Sequence, residues 1–518
     1  MQYKKQIILS ILTIFVLSAL IIGATFAYFQ AQGDTSSQTS ATVKTYTTDV
    51  FSFETGNAIS FSLNQENFTS GKGNQTGSTF AKTILTANNK TNTATEHYYL
   101  YLNISNNTFT YTQNENTPEI LLTITDGTNP VTNITSLTYK TVTDGKGNRI
   151  SGYDITNKTG LIELFSNREI TTTSTKTENW NITVTFINYN IDQSANAGHT
   201  FSGKVLIQKE KITLLTDYVI SQYTGTQGEN GLYYHNSSLA NGAGDNSYRY
   251  AGASENVNNF VCFGSDAATC PTDNLYRIIG VFEDKVKLIK YDYANSNLLG
   301  TNGDYASSVT PPASTYKGRL SKVDNYYWNY KNDGSINDGR GSNEWSTSLL
   351  NKINLNTNYL NNIGTKWSNL IEDTTWKISG YSTSSVTPSV MYTREITNAT
   401  KTYGPSDGTS KIGLMYASDY GFAASPSAWT KTLVDYNGND VNGTSITTIN
   451  WMYMGHYEST ISPISSHSYR VFGLYFRGNV NYVNADSGGG FRPVMYLKAS
   501  VIYAGGSGTK DSPITLVV

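Results

Sequence analysis

Apolar and polar positions alternate with a period of two through much of residues 45–212. In the run WNITVTFINYN, Trp180, Ile182, Val184 and Phe186 fall on one face, and Asn181, Thr183 and Thr185 fall on the other. HYYLYLNIS repeats the pattern with Tyr98, Leu100, Leu102 and Ile104 inward, and FSGKVLIQK adds Phe201, Val205 and Ile207. Successive side chains of a strand point to opposite faces, so this period predicts antiparallel strands buried on one side. FSFETGNAISFSLN reads as two strands, Phe51–Phe53 and Ile59–Leu63, turning through Gly56-Asn57. Several such strands, separated by Asn, Gly and Thr and lacking long helical stretches, predict a jelly-roll-like antiparallel β-sandwich over residues 30–212.

The pattern shifts at that point. Leu214, Leu215, Tyr218, Val219 and Tyr223 stand near helical spacing, and Gly225, Gly228 and Gly231 follow. This predicts a helical linker, residues 213–235, leading into a second domain at 236–518. There, Leu275–Phe282 and Val286–Tyr291 flank Glu283-Asp284-Lys285 as a tight hairpin. SNEWSTSLLNKINLNTNYL opens on Ser342 as a candidate N-cap. It then sets Trp345, Leu349 and Ile353 four apart, as in an amphipathic helix. KIGLMYASDYG, YRVFGLYF and GFRPVMYLKASVIY read as later strands, the last bounded by Gly488–Gly490 and Gly505-Gly506. Short helices mixed with strands that return to a central sheet predict an α+β domain.

Compartment enters through the first thirty residues. Lys4 and Lys5 precede a stretch of 23 uncharged residues, Ile7 to Phe29, with Thr25 and Ala27 suited to signal-peptide cleavage. The same stretch is long enough to span a hydrocarbon core as an uncleaved anchor, so residues 1–29 read as a signal peptide or membrane anchor. In both cases the lysines hold the N-terminus inside and the rest of the chain is exported. The composition agrees: charged residues are 15%, while Asn, Thr, Ser, Gly and Tyr are abundant. A net charge of −2 without a basic run speaks against nucleic-acid binding.

The leader, with its GATFAYF close, and the strand-rich region after it resemble the TasA/camelysin group of Gram-positive surface and biofilm-matrix proteins. That resemblance implies export, and self-association through sheet edges. Camelysins are described as metalloproteases, but no His-Glu-x-x-His occurs. The five histidines, His97, His199, His235, His456 and His467, are not at ligand spacing. NLYRIIGVF, WSTSLLNKINLNTNYL, KIGLMYASDYGFAAS, NWMYMG and GFRPVMYLK, in that order, resemble an uncharacterised domain of low-GC Gram-positive surface proteins. The closing segments are similar to the formylglycine-generating-enzyme branch of the C-type-lectin-like fold. That enzyme branch needs a late cysteine pair, and no cysteine follows Cys270. The calcium-binding Glu-Pro-Asn and Gln-Pro-Asp tripeptides of sugar-binding lectins are also absent. The resemblance therefore implies a lectin-like fold that binds protein or glycan by another surface.

Candidate chemistry is sparse. Cys262 and Cys270 are the only cysteines. Free thiols, half a zinc site and a catalytic thiol are the alternatives, but an exported chain meets a non-reducing milieu, where neighbouring cysteines are expected to form a disulfide. Asp333, Ser335, Asn337 and Glu344 place oxygen donors in an EF-hand-like order, with the glycine one position late. Asp435, Asn437 and Asn439 form a second such cluster without a closing acid. Both read first as Asn/Gly-rich turns, so no metal or other cofactor is expected. Tyr326, Tyr327, Trp328 and Tyr330, with Trp451, Tyr453 and Tyr457, could form a binding platform or fill the core. Ser487–Gly490 precedes a strand and reads as a turn or bulge. No catalytic residues stand out, and the expected function is adhesion or recognition at the cell surface. A glycan or a surface protein would be bound by the C-terminal domain. The alternatives are a self-associating matrix subunit and a hydrolase with a dispersed site.

Overall fold

The computed structural model describes residues 39–44, 49–68, 73–88, 93–311, 316–330, 340–399, 406–436 and 449–517. The leader, residues 1–29, lies outside them. The chain is β-rich, its sheets are antiparallel, and it divides into two compact units, 1–211 and 212–518. Among the described residues no helix is long and apolar enough to cross a membrane.

The N-terminal unit holds two sheets. In one, the order is Thr39–Lys44, Val50–Thr55, Gln75–Thr86, Thr175–Phe186, Ile120–Asp126, Arg149–Asp154, Tyr139–Thr143, with Asn129–Pro130 beside Ile120–Asp126. In the other it is Gly160–Thr172, Ala94–Asn107, Thr200–Gln208, Ile59–Ser62. The faces expected to be inward are buried: Trp180, Ile182, Val184 and Phe186 from the first sheet meet Leu100, Leu102, Ile104 and Phe201 from the second in one core. The expected Gly56-Asn57 hairpin is not formed. Val50–Thr55 and Ile59–Ser62 belong to different sheets, and the chain crosses between them at Gly56. A Cβ on Gly56 would stand 2.6 Å from Thr79 Oγ1 and 2.9 Å from Phe80 Cδ1, so a glycine is required where the crossing presses on its neighbour strand.

In the C-terminal unit the main sheet runs Leu232–His235, Ser247–Tyr250, Leu275–Phe282, Lys285–Lys290, Val494–Leu497, Ile412–Gly413, with Phe260–Cys262 beside Leu275–Phe282. Of the strands expected to return to this sheet from GFRPVMYLKASVIY, Val494–Leu497 does so in its interior, whereas Ile502–Gly505 pairs with Thr515–Val517 in a separate two-stranded sheet. The hairpin between Leu275–Phe282 and Lys285–Lys290 forms, with Glu283 in the left-handed region at φ 55°. Residues 213–235 are not a free linker. Helix Leu215–Ser221 buries Leu215 and Val219 in this unit's core, the Leu215 N–H donates to Val501 O, and Leu232–His235 is a strand of the main sheet.

The expected amphipathic helix also differs. Trp345–Thr347 is a separate 3-10 turn, and Leu350–Tyr359 winds as a π-helix. Hydrogen bonding to the fifth residue widens each turn, so the buried positions become Leu350, Asn354, Leu355 and Tyr359, while Leu349 is 43% exposed. Ser342 does not cap this helix; its Oγ accepts from the Glu344 N–H. Within KIGLMYASDYG only Ile412–Gly413 is strand, and Ala417–Phe422 is helical.

Cys262 and Cys270 are bridged, with Cα atoms 5.7 Å apart. Cys262 closes the strand Phe260–Cys262 and pairs across to Leu275. The bridge therefore ties the connection between Phe260–Cys262 and Leu275–Phe282, the third and fourth strands of this sheet in chain order. Closing so short a loop is worth about 2–3 kcal/mol in the chain-entropy account. The double variant Cys262→Ser/Cys270→Ser should lose that amount in urea unfolding followed by tryptophan fluorescence. An unchanged midpoint would show that the hydrogen-bonded pairing alone holds the connection.

Candidate binding cleft

The second, three-stranded sheet of this unit, Glu458–Pro463, Arg470–Leu474 and Val480–Asn484, supplies the site. Tyr457 enters the first strand, Tyr475 and Phe476 begin the turn after the second, and Tyr482 lies on the third. The turn is closed by Tyr475 N–H to Asn479 O at 2.9 Å and Gly478 N–H to Tyr475 O at 2.8 Å. The Tyr457 ring is 38% exposed and meets Tyr475 edge-on at 5.1 Å and Phe476 at 5.8 Å. Tyr482, 46% exposed, lies beneath the Arg470 guanidinium at 4.6 Å. Tyr475 Oη donates to the Tyr482 carbonyl at 3.1 Å.

Between the Tyr457 and Tyr475 rings and the Ser487–Gly489 segment opens a cleft of about 280 Å³, lined also by Glu458, Ser459, Leu474 and Val483. Ligand pockets typically begin near ~300 Å³, so this one fits a small group or the end of a larger ligand. The glycine-rich turn is held by Gly489, whose N–H donates to Tyr326 O at 3.0 Å, and by Gly490, whose N–H donates to Tyr457 O at 2.9 Å. A Cβ on Gly490 would stand 2.7 Å from Tyr293 Cδ1, so the turn approaches the core only because that side chain is missing.

Beneath the cleft Glu458 and Arg492 form a buried ion pair. Arg492 Nε donates to Glu458 Oε1 at 2.9 Å and Oε2 at 3.1 Å, and Nη2 donates to Oε2 at 2.8 Å and to Met452 O at 2.9 Å. Desolvation raises the Glu458 carboxyl above its ordinary value, against the opposing charge of Arg492.

A second polar centre is largely buried in the same unit. Lys287 Nζ lies 2.5 Å from Asp419 Oδ2, Arg249 Nη1 lies 3.5 Å from Asp419 Oδ1, and Arg249 Nη2 lies 2.6 Å from Asp245. Glu395 accepts from the N–H groups of Ala417 at 3.0 Å and Ser418 at 3.1 Å, and from the Ser462 hydroxyl. Desolvation pushes its carboxyl up to about 7, against the hydrogen bonds from Ser418 and Ser462. A carboxyl raised by folding binds its proton more tightly in the folded state, so its contribution is complete at low pH and lost as pH rises. Unfolding free energy should therefore fall by roughly 3 kcal/mol between about pH 4.5 and about pH 7 on account of Glu395. Glu395→Gln should remove that share in a pH series of urea unfolding and leave the slope due to Glu458. An unaltered slope would place the titration elsewhere.

The structure divides the residues singled out earlier. Tyr326, Trp328, Trp451 and Tyr453 are core, with Trp328 Nε1 donating to Thr460 O and Trp451 Nε1 to Tyr250 O. Tyr457 joins the cleft, while Tyr330, exposed, lies tilted against Tyr327 with ring centres 4.7 Å apart. Asp333, Ser335, Asn337, Asn437 and Asn439 lie outside the described residues. Glu344 accepts from the Ser346 hydroxyl and Asp435 from the Thr432 hydroxyl. Among the described residues no group of three His, Cys, Asp or Glu could hold a metal. The histidines have separate neighbours: Glu169 for His97, the Phe109 ring for His199, the Ala243 N–H for His235, Asn325 for His456 and Ser466 for His467. Tyr475 and Val483, which line the cleft, were not singled out by sequence. Their signal is the aromatic density of YRVFGLYFRGNVNYV, which also reads as strand.

In comparisons with known proteins, no family model, no curated protein and no solved structure matches the chain.

Proposed function

We propose that this chain is an exported bacterial cell-surface protein that recognises a glycan through the cleft at Tyr457 and Tyr475. The observation that carries the reading is an opening walled by aromatic rings and small hydroxyls, with its nearest charges already paired beneath it. Tyrosine rings offer flat apolar area with a polar tip, which suits the face of a sugar ring. A surface protein presenting an apolar or aromatic side chain is the other ligand of this kind. In this reading residues 1–29 export or anchor the chain, the N-terminal unit is a β-sandwich stalk of TasA/camelysin type, and the C-terminal unit is a C-type-lectin-like head. A matrix subunit joined through sheet edges is less favoured. The edge strand Gly160–Thr172 carries two register shifts, between Glu163 and Phe165 and between Phe165 and Arg168, and such irregularities blunt an edge against pairing.

The test is a glycan-array and cell-surface-extract binding screen of the full chain beside Tyr457→Ala. Ligand bound by the parent should be lost at least about tenfold in the variant, a difference of ~1.4 kcal/mol. The unfolding midpoint should hardly move, because the ring is partly exposed. Equal binding by parent and variant would remove the cleft from the function.

A further inference from the structure

Lys287 and Asp419 are placed as a lysine and a carboxylic acid would be just before amide formation. Their side chains are 1% and 2% exposed, and Nζ lies 2.5 Å from Oδ2. With a carbon–oxygen bond of about 1.2 Å, Asp419 Cγ is no farther than about 3.7 Å from the nitrogen, close to attacking distance. Both partners are held. Lys287 sits within the main sheet, its backbone paired with Gly280 on one side and Tyr496 on the other. Asp419 Oδ2 accepts from the Tyr416 N–H at 2.9 Å, and Oδ1 faces Arg249. Four rings wall the ammonium from water, with centres at 4.6 Å for Tyr416, 5.2 Å for Tyr496, 5.3 Å for Phe282 and 5.8 Å for Trp376.

We propose that Lys287 Nζ and Asp419 Cγ condense into an intramolecular amide, releasing one water. The protons balance within the pair. The ammonium passes one proton to Oδ2, which makes the amine a nucleophile and the carboxyl an electrophile. Nitrogen attacks Cγ, and negative charge develops on Oδ1, toward which Arg249 is aimed. A second proton moves from nitrogen to the Oδ2 hydroxyl, which leaves as water, and the third remains on the amide. No oxidant, metal or external acid is consumed.

The charge around the pair favours this outcome. Burial lowers the Lys287 ammonium below its ordinary value, against the pull of Asp419. With Glu395 protonated, the centre holds Lys287 and Arg249 against Asp245 and Asp419. Condensation removes one cation and one anion and leaves the Arg249–Asp245 pair intact. Two desolvated charges disappear, and the dry cage protects the amide from hydrolysis. The bond joins positions 132 residues apart, tying the main sheet to helix Ala417–Phe422 independently of the Cys262–Cys270 bridge.

Intact-mass measurement of the folded, reduced full chain tests the proposal, followed by proteolysis and peptide sequencing. The expected result is a mass one water below that of the chain's residues, with a branched peptide joining Lys287 to Asp419. A mass equal to that of the residues, or a water loss mapped to another position such as an Asp-Gly step, would overturn it. Lys287→Arg and Asp419→Ala should each lack the branched peptide. The parent measurement decides the matter even where these variants do not fold.

Discussion

Replacing Arg492 by methionine should destabilise the C-terminal unit by about 3–5 kcal/mol, because the change leaves a buried carboxylate without its counter-ion. Arg492 makes three contacts to the Glu458 carboxylate between 2.8 and 3.1 Å, and both side chains are 2% exposed. Methionine keeps much of the length and apolar volume, so the loss reports the missing charge and the hydrogen bonds it makes, that to Met452 O included, and not a cavity. The pH dependence identifies the cause. Glu458 is already displaced upward by desolvation and is restrained by Arg492. Without that restraint its folded value rises further. A raised carboxyl contributes fully at low pH and loses its contribution as pH rises through the folded value, so the deficit should be smaller near about pH 5 than near about pH 8. Urea unfolding followed by tryptophan fluorescence reads the right unit, since six of the seven tryptophans lie in it. Equal deficits at both pH values would show that packing and not charge was lost. The double change Arg492→Met/Glu458→Met should recover much of the stability.

Trp328→Ala should cost a comparable ~3–5 kcal/mol, by a different route. The indole is fully buried, packs on Trp345 at 4.9 Å, and donates from Nε1 to the Thr460 carbonyl at 2.9 Å. Truncation opens a cavity and leaves that carbonyl without the donor. Because Trp328 does not line the cleft, ligand binding by the protein that remains folded should be unchanged. Tyr457→Ala should behave in the opposite way, losing ligand and keeping stability. If Trp328→Ala were stable but unable to bind, the NYYWNY aromatics would be the site and the cleft would not.

The two variants also show where reading the chain stops. Trp328 and Tyr457 occur in similar tyrosine- and tryptophan-rich runs, and nothing local separates them. One is core and the other surface because of which strands pass over them. Similarly, Phe51–Phe53 and Ile59–Leu63 were legible as strands. Whether Gly56 makes a hairpin or a crossing depends on which partner each strand finds, and those partners, Gln75–Thr86 and Thr200–Gln208, lie elsewhere in the chain. The helical region after Ser342 was located, but its buried face was misplaced. Spacing assumes 3.6 residues per turn, and Leu350–Tyr359 winds to the fifth residue.

Taken by itself, the amino-acid sequence determined what depends on near neighbours. That comprised the period-two faces of the N-terminal strands, the hairpin around Glu283-Asp284, the helix at Leu215 and the expectation that Cys262 would bridge to Cys270. These are set by backbone geometry and by loops short enough to close locally. Tertiary structure alone decided what depends on distant residues. It brought Tyr457, Tyr475, Val483 and Ser487 around one opening, placed Arg492 beneath it, and set Lys287 against Asp419 across 132 positions. No local pattern encodes such meetings, because they follow from the order in which strands pair, and that order is settled by burial summed over the whole unit.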